Sequence, residues 1–161
     1  MSENVTGSLE SEVLGQGVFV SEFTHSLDPK KRLTIPSEWR AQVGTPRSLY
    51  VLPDVEERCL CVLPNREMIR RVNESIRSQA VSDRRARKFM RSLAARADLV
   101  AWDVQGRIRI KDELLKFAGL KDHVVMVGAF QHFELWNPDA YAAAGRNADD
   151  EVAEAARYVG F

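Results

Sequence analysis

Two stretches of this chain carry one pattern, and that internal repeat limits the possible folds more than any other feature. Residues 28–35 read D-P-K-K-R-L-T-I and residues 103–110 read D-V-Q-G-R-I-R-I. In each, an aspartate stands four positions before an arginine that opens an alternating aliphatic run. At an offset of 75 residues Asp28 meets Asp103, Arg32 meets Arg107, Leu33 meets Ile108, Ile35 meets Ile110, Trp39 meets Leu114 and Gly44 meets Gly119. Farther on the offset slips to 74, where C-L-C-V-L-P at 59–64 meets F-E-L-W-N-P at 133–138. The chain therefore reads as two copies of one unit, a pattern to be settled before local structure is assigned.

Each copy has the same local grammar. An extended segment, G-V-F-V-S-E-F at 17–23 or A-R-A-D-L-V-A-W at 95–102, runs into a turn made by D-P-K-K or D-V-Q-G, residue types that tolerate turn geometry. R-L-T-I and R-I-R-I then alternate with the period of a half-buried strand, which points Leu33 and Ile35 inward and Arg32 and Thr34, or Arg107 and Arg109, outward. A short helix follows, with Ser37 or Asp112 as the expected cap, Trp39 and Val43 or Leu114 and Ala118 on its buried side, and Gly44 or Gly119 at its end. Two more strands, L-Y-V-L with C-L-C-V-L and V-V-M-V with F-E-L-W, complete the unit. A unit of roughly 50 residues supports only a marginal core alone, so the copies are expected to share one core or to close it by oligomerising.

The remaining segments differ in charge. Between Arg66 and Arg96 there are ten basic residues against three acidic ones. Ile69, Val72 and Ile76, and likewise Phe89, Leu93 and Ala97, recur at helical spacing, which predicts two amphipathic helices laid on the sheets. Residues 1–22 carry four glutamates and no basic residue, and D-D-E-V-A-E-A-A-R-Y-V at 149–159 reads as an acidic-fronted helix. The expected layout is an acidic, disordered extension over 1–16, a first unit over 17–64, an arginine-rich helical connector over 65–96, a second unit over 97–140 and a C-terminal helical segment over 141–161.

Composition argues against several functions. With 23 basic and 23 acidic residues the chain has no global attraction for nucleic acid or anionic membranes, so any such binding needs segregated charge. The N-terminus lacks the basic-then-apolar order of a signal peptide, and V-V-M-V-G-A-F at 124–130 is too short to span a bilayer. A soluble, intracellular protein is expected. The three histidines, His25, His123 and His132, lie in no nucleophile motif, so no enzyme activity is expected. Cys59 and Cys61 with His123 and His132 lack the paired short spacings of a zinc site; the cysteines read as small buried hydrophobes on one strand face, with no metal, cofactor or small-molecule substrate.

The repeated Asp-x-x-x-Arg is the feature with chemical content. As a purely structural ion pair on the surface it would contribute about 0–1 kcal/mol. A DNA-binding role accounts for more: the motif recurs at equivalent turns beside extra cations, Lys30 and Lys31 in the first copy and Arg109 and Lys111 in the second. Arginine makes paired hydrogen bonds to phosphate or to guanine O6 and N7, and an aspartate that holds it extended reduces the entropy lost on binding.

H-S-L-D-P-K-K-R-L-T-I-P-S-E-W-R and W-D-V-Q-G-R-I-R-I-K-D-E-L-L-K-F-A-G-L, with V-V-M-V-G-A-F-Q-H-F-E-L-W-N-P after the second, resemble the MraZ family of bacterial transcriptional regulators from about Gly17 to Tyr141. The resemblance implies an α+β fold of two tandem AbrB-like swapped-hairpin units, a homo-oligomeric ring, and sequence-specific binding to repeated promoter elements of a division and cell-wall gene cluster that includes the regulator's own gene. It places Asp28, Arg32, Asp103 and Arg107 at the family's DNA-contact motifs. Around them Lys30, Lys31, Gln105 and Arg109 complete the expected double-stranded DNA surface of a cytoplasmic, nucleoid-associated protein. Alternatives are an antitoxin-type protein-interaction module and a ring that binds no DNA. The family's glycine before the motif arginine is present as Gly106, but the first copy has Lys31, so the two turns are expected to differ in shape.

Overall fold

The computed structural model describes residues 17–77, 83–145 and 148–160. The acidic extension over 1–16, expected to be disordered, lies outside the described residues. The first copy contains β1 (Glu22–Ser26), β2 (Arg32–Thr34), α1 (Ser37–Val43), β3 (Ser48–Pro53) and β4 (Leu60–Pro64). Helices α2 (Asn65–Arg77) and α3 (Arg84–Arg96) connect it to the second copy, made of β5 (Asp98–Ala101), β6 (Arg107–Arg109), α4 (Asp112–Ala118), β7 (His123–Gly128) and β8 (Phe133–Trp136). Helices α5 (Pro138–Ala144) and α6 (Ala148–Val159) follow.

Strand pairing ties the copies together. The larger, antiparallel sheet has the order β1-β7-β8-β4-β3-β5, and β2 pairs separately with β6. Because β1, β3 and β4 correspond to β5, β7 and β8 in the repeat, this order is the same from either edge. The first strand of each copy pairs with the third strand of the other, as in Phe23 opposite Met126 and Leu49 opposite Val100. In the small ribbon Leu33 lies opposite Ile108, and the exchange continues beyond it: the Ile35 amide donates to the Gly106 carbonyl at 2.8 Å and the Ile110 amide to the Lys31 carbonyl at 3.0 Å.

One apolar cluster fills the space these pairings enclose. Leu33, Ile35, Ile108 and Ile110 are buried in it together with Phe19, Trp39, Leu114 and Phe133. Trp39 is its largest fully buried side chain; its ring lies 4.5 Å from that of Phe133, and its Nε1–H donates to the Val20 carbonyl at 2.8 Å. This hydrogen bond lets an indole with a polar edge occupy the interior.

Several expectations are corrected. The first strand begins at Glu22 rather than Gly17, since Ser21 has φ 79° and Phe19 forms only an isolated bridge to Phe130. Ser37 and Asp112 are the first helical residues, not the caps; Pro36 and Lys111 occupy the cap positions without a side-chain bond. The ribbon's last hydrogen bonds fall at Ile35 and Ile110, so the chain changes direction one residue earlier than the cap chemistry suggests. Gly119 ends α4 in the left-handed conformation, whereas Gly44 has φ 75° and ψ −148°.

The connector forms two helices, but the face of α2 turned to the sheet is not the expected one. Ile69 and Ile76 are 49% and 53% exposed, while Met68 packs against Leu52, Cys61 and Leu63. The cause is a polar anchor on the inner face. Glu67, only 3% exposed, accepts from Arg70 and Arg71, and Arg71 Nη2 lies 3.1 Å from His132 Nδ1 on the second copy's β7–β8 connection. Placing residues 67 and 71 inward rotates Ile69 and Ile76 out. From α3, Leu93 packs against the same cluster, as does Ala97 just beyond it, whereas Phe89 stays 49% exposed.

Truncation across the ribbon tests its place in the core. Leu33→Ala and Ile108→Ala are each expected to destabilise the chain by about 2–5 kcal/mol in urea unfolding. Because the two residues face one another, the double variant should fall short of the sum of the singles.

Candidate nucleic-acid interface

The two Asp-x-x-x-Arg turns form one composite surface. In the first, Asp28 Oδ1 accepts from the Lys30 and Arg32 amides at 2.9 and 2.8 Å, and Oδ2 accepts from Arg32 Nε at 2.7 Å. In the second, Asp103 Oδ1 accepts from the Gln105 and Arg107 amides at 2.9 and 3.0 Å, and Oδ2 accepts from Arg107 Nε at 2.9 Å. Their backbones match as well: the Lys31 amide donates to the Asp28 carbonyl and the Gly106 amide to the Asp103 carbonyl, both at 2.9 Å. Each carboxylate therefore closes its turn and holds an arginine by Nε. No hydrogen bond is seen from the terminal nitrogens of Arg32 among the described residues, so that end of the guanidinium is available to a ligand.

The ribbon brings the turns side by side. Arg32 pairs with Arg109 and Thr34 with Arg107, which sets Arg32, Arg107 and Arg109 on the outward face while Leu33 and Ile108 point into the core. Arg107 Nη1 lies 3.9 Å from Asp28 Oδ2, so one carboxylate faces both motif arginines. For Asp28, partial burial would raise the carboxyl pKa, but the amide and guanidinium of Arg32 outweigh it and hold the group below its ordinary value of 3.8. For Asp103 the Arg107 amide is the largest influence, and the shift is again downward.

The turns do not differ in backbone shape, contrary to the expectation from Lys31. Lys31 has φ 63° and Gly106 has φ 78°. A lysine in this left-handed region bears a local cost of about 1–2 kcal/mol that glycine does not. What differs is the source of the cation. A Cβ at position 106 would lie only 2.6 Å from Arg40 Cζ, so the Arg40 guanidinium occupies the space left by the missing side chain, with its Nε donating to the Ile35 carbonyl at 3.1 Å. In the first copy Lys31 supplies the charge itself, and Leu115 stands at the position equivalent to Arg40.

All eight candidate residues lie on these turns and their ribbon. Lys30, Lys31, Arg32 and Arg109 line one shallow hollow, and Lys116 and Lys121 join Lys31 around its neighbour. Gln105 is on the second turn, exposed beside Val104. Lys111 is directed elsewhere, its Nζ lying 3.7 Å from Asp98 Oδ1. Arg40, Lys116 and Lys121 are additions that sequence reasoning missed. Arg40 and Lys116 lie on the short helices that follow the two ribbon strands and Lys121 lies in the connection after α4, outside the repeated motif; for Arg40 the signal was the Lys31-to-Gly106 difference, which leaves room for a side chain from elsewhere.

Cys59 and Cys61 are both buried and free. Among the described residues Asp54, Cys59 and Glu134 bring one potential ligand atom each to within 4.8 Å of one another. Asp54 Oδ1 already accepts two amides, and Glu134 accepts from Trp136 Nε1 at 3.0 Å. Burial, reinforced by the Glu134 and Asp54 carboxylates, pushes the Cys59 thiol far above its ordinary 9.0, so the sulfur packs as a neutral thiol against Val125 and Trp136. No described helix is long and apolar enough to cross a membrane.

The chain is thus a mixed α+β protein that sets two arginine turns side by side on one face. Residues 93–160 match the family model described as "MraZ protein, putative antitoxin-like". The Transcriptional regulator MraZ of Thermomicrobium roseum is 36% identical over 126 residues, covering 78% of this chain and 86% of the relative. The proteins of the same name from Micrococcus luteus and Clostridium tetani are 33% and 28% identical, each over 77% of this chain and 84% of their own length. The chain belongs to the MraZ family of transcriptional regulators, a family of regulators and not an enzyme class.

Two measurements probe the turns. Lys31→Gly should preserve the fold and raise stability by up to about 1 kcal/mol, whereas Gly106→Ala should lower it by about 1–2 kcal/mol in thermal unfolding. In a carboxyl-detected NMR titration Asp28 and Asp103 should both titrate below 3.8. The stabilisation linked to these depressed groups is present above the unfolded-state value and is lost as pH falls through the folded-state values.

Proposed function

We propose that this protein is a sequence-specific double-stranded DNA-binding regulator that acts on repeated elements in the promoter of its own division and cell-wall gene cluster. The observation that carries this reading is the ribbon surface, where Arg32 and Arg107 are held by Nε from their own aspartates beside Arg109, Lys30 and Lys31. A two-stranded ribbon is of a size that enters the major groove, and an arginine with free terminal N–H groups matches guanine O6 and N7. Lys30, Lys31 and Arg109, with Arg40, Lys116 and Lys121 at the flanks, bind phosphate and set register, while Arg32 and Arg107 read bases. Asp28 and Asp103 act as positioning groups, and Gln105 lies on the second turn within reach of a base edge.

The exchanged pairing of β1, β2 and their counterparts supports reading the chain as two AbrB-like swapped-hairpin units, 17–64 and 97–140, joined by the helical connector 65–96 and followed by 141–161. A homo-oligomeric ring would array these surfaces along one face. Linked sites raise effective concentration, so individually modest turns combine on spaced repeats. The protein is then cytoplasmic and nucleoid-associated, needing no cofactor or small-molecule substrate.

Titration of the DNA upstream of the chain's own gene tests the reading. Wild type should bind with an affinity that falls steeply between 50 and 200 mM salt, roughly a thousandfold if about six phosphates are engaged. Arg32→Ala and Arg107→Ala should each weaken specific binding by about 1–3 kcal/mol while leaving non-specific affinity nearly intact. Unchanged affinity in both variants, with assembly retained, would sink the assignment.

A further inference from the structure

Two helical surfaces remain unmatched within the single chain. One is the groove between α2 and α3, of about 800 Å³, lined by Leu52, Met68, Val72, Phe89, Met90 and Leu93. Methionine-rich linings of this kind adapt to an inserted helix. Helix α3 contains no acidic residue, and Arg84, Arg87, Lys88 and Arg91 have no acidic partner among the described residues. Arg77 also lines the groove. Arg85, whose Nε lies 3.9 Å from Asp83 Oδ1, stands one turn before Phe89, and Arg87 stands close to one turn before Met90, so helical spacing sets both beside the lining residues at the groove's margins.

The other surface is α6. Val152, Ala155, Ala156 and Val159 recur at the i, i+3, i+4, i+7 spacing of one narrow apolar stripe, and Asp149 and Glu151 flank it. Among the described residues nothing covers this stripe: Val152 is 63% and Val159 70% exposed, and no α6 residue joins a described core cluster. Asp149, Asp150, Glu151 and Glu154 have no cationic partner among the described residues. The helix is 12 residues long against 13 for α2 and α3, so the surfaces match in length, in apolar character and in opposite charge.

We infer that α6 of one copy docks in the α2–α3 groove of a second copy, with Asp149 and Glu151 facing the arginine margins, and that this contact links subunits. The occupant is a second copy because the chain's own α6 leaves both surfaces open, and α6 is the most acidic described helix, of opposite charge to α3. Alanines in the stripe permit close approach in a shallow groove. The inference rests on the assembly reading above and adds the surface that mediates it. It leaves the arginine turns free for their ligand.

Charge exchange tests it in the full chain, with mass read by sedimentation velocity and helicity by circular dichroism. Asp149→Lys with Glu151→Lys should weaken subunit association at least about tenfold, as should Arg85→Glu with Arg87→Glu. Placing all four substitutions in one chain restores opposite signs across the contact and should recover assembly. Val152→Asp, at an exposed position that costs the monomer nothing in packing, should also dissociate the complex. If wild type assembles and all these variants assemble equally, or if the fourfold variant fails to recover while retaining wild-type helicity, the docking assignment is overturned. A monomeric wild type would overturn the assembly reading itself.

Discussion

The pairing of Leu33 with Ile108 across the β2–β6 ribbon is the constraint on which the architecture turns. It fixes the face of two three-residue strands that enters the core and thereby the face that carries Arg32, Arg107 and Arg109. A slip of one residue would reverse every side chain, burying guanidinium groups and exposing Leu33 and Ile108. The bonds from Ile35 to Gly106 and from Ile110 to Lys31 extend this register past the strands. Each turn's backbone is thus braced by the other copy, and the common core is built from both.

This dependence explains how a partly buried carboxylate can serve as a positioning group. Asp28 and Asp103 each accept two amides and one Nε–H, a set that fixes the carboxylate before any ligand arrives. The arginine is then held through Nε, and less rotamer entropy remains to be lost when the terminal nitrogens are engaged. In the proposed DNA-binding role the ion pair and the recognition surface are therefore one device, with the turn closed by amide bonds that a ligand leaves untouched.

Much of this was legible in the sequence, because the information is local. Alternation placed Leu33, Ile35, Ile108 and Ile110 inside, the aspartate spacing located both turns, and Trp39 with Val43 marked the buried side of α1. Partner choice was not legible: β1 and β5 have nothing in their own residues that specifies β7 and β3, since that selection is made by closure of the common core. The orientation of α2 was missed because Glu67 and Arg71 do not score as inward residues until their partners Arg70 and His132 are known. Lys31 misled for a related reason. Its left-handed backbone is imposed by the pairing around it, which overrides the residue's own preference.

Charge shows the same division between local composition and tertiary use. The arginine-rich connector is the most basic part of the chain, yet several of its cations are committed to the fold: Arg66 donates to the Val43 and Gly17 carbonyls, Arg70 and Arg71 hold Glu67, and Arg96 lies 5.0 Å from the centroid of the Phe117 ring. The cations of the ribbon belong to a region of much lower net charge, where aspartates take up Nε of Arg32 and Arg107 and, among the described residues, no hydrogen bond is seen from the terminal nitrogens of Arg32. A count of positive residues would therefore point to the connector, whereas the proposed DNA-binding role rests on the turns. Availability of donors, and not charge density, separates the two, and under the proposed function this is how a chain with zero formal net charge engages a polyanion.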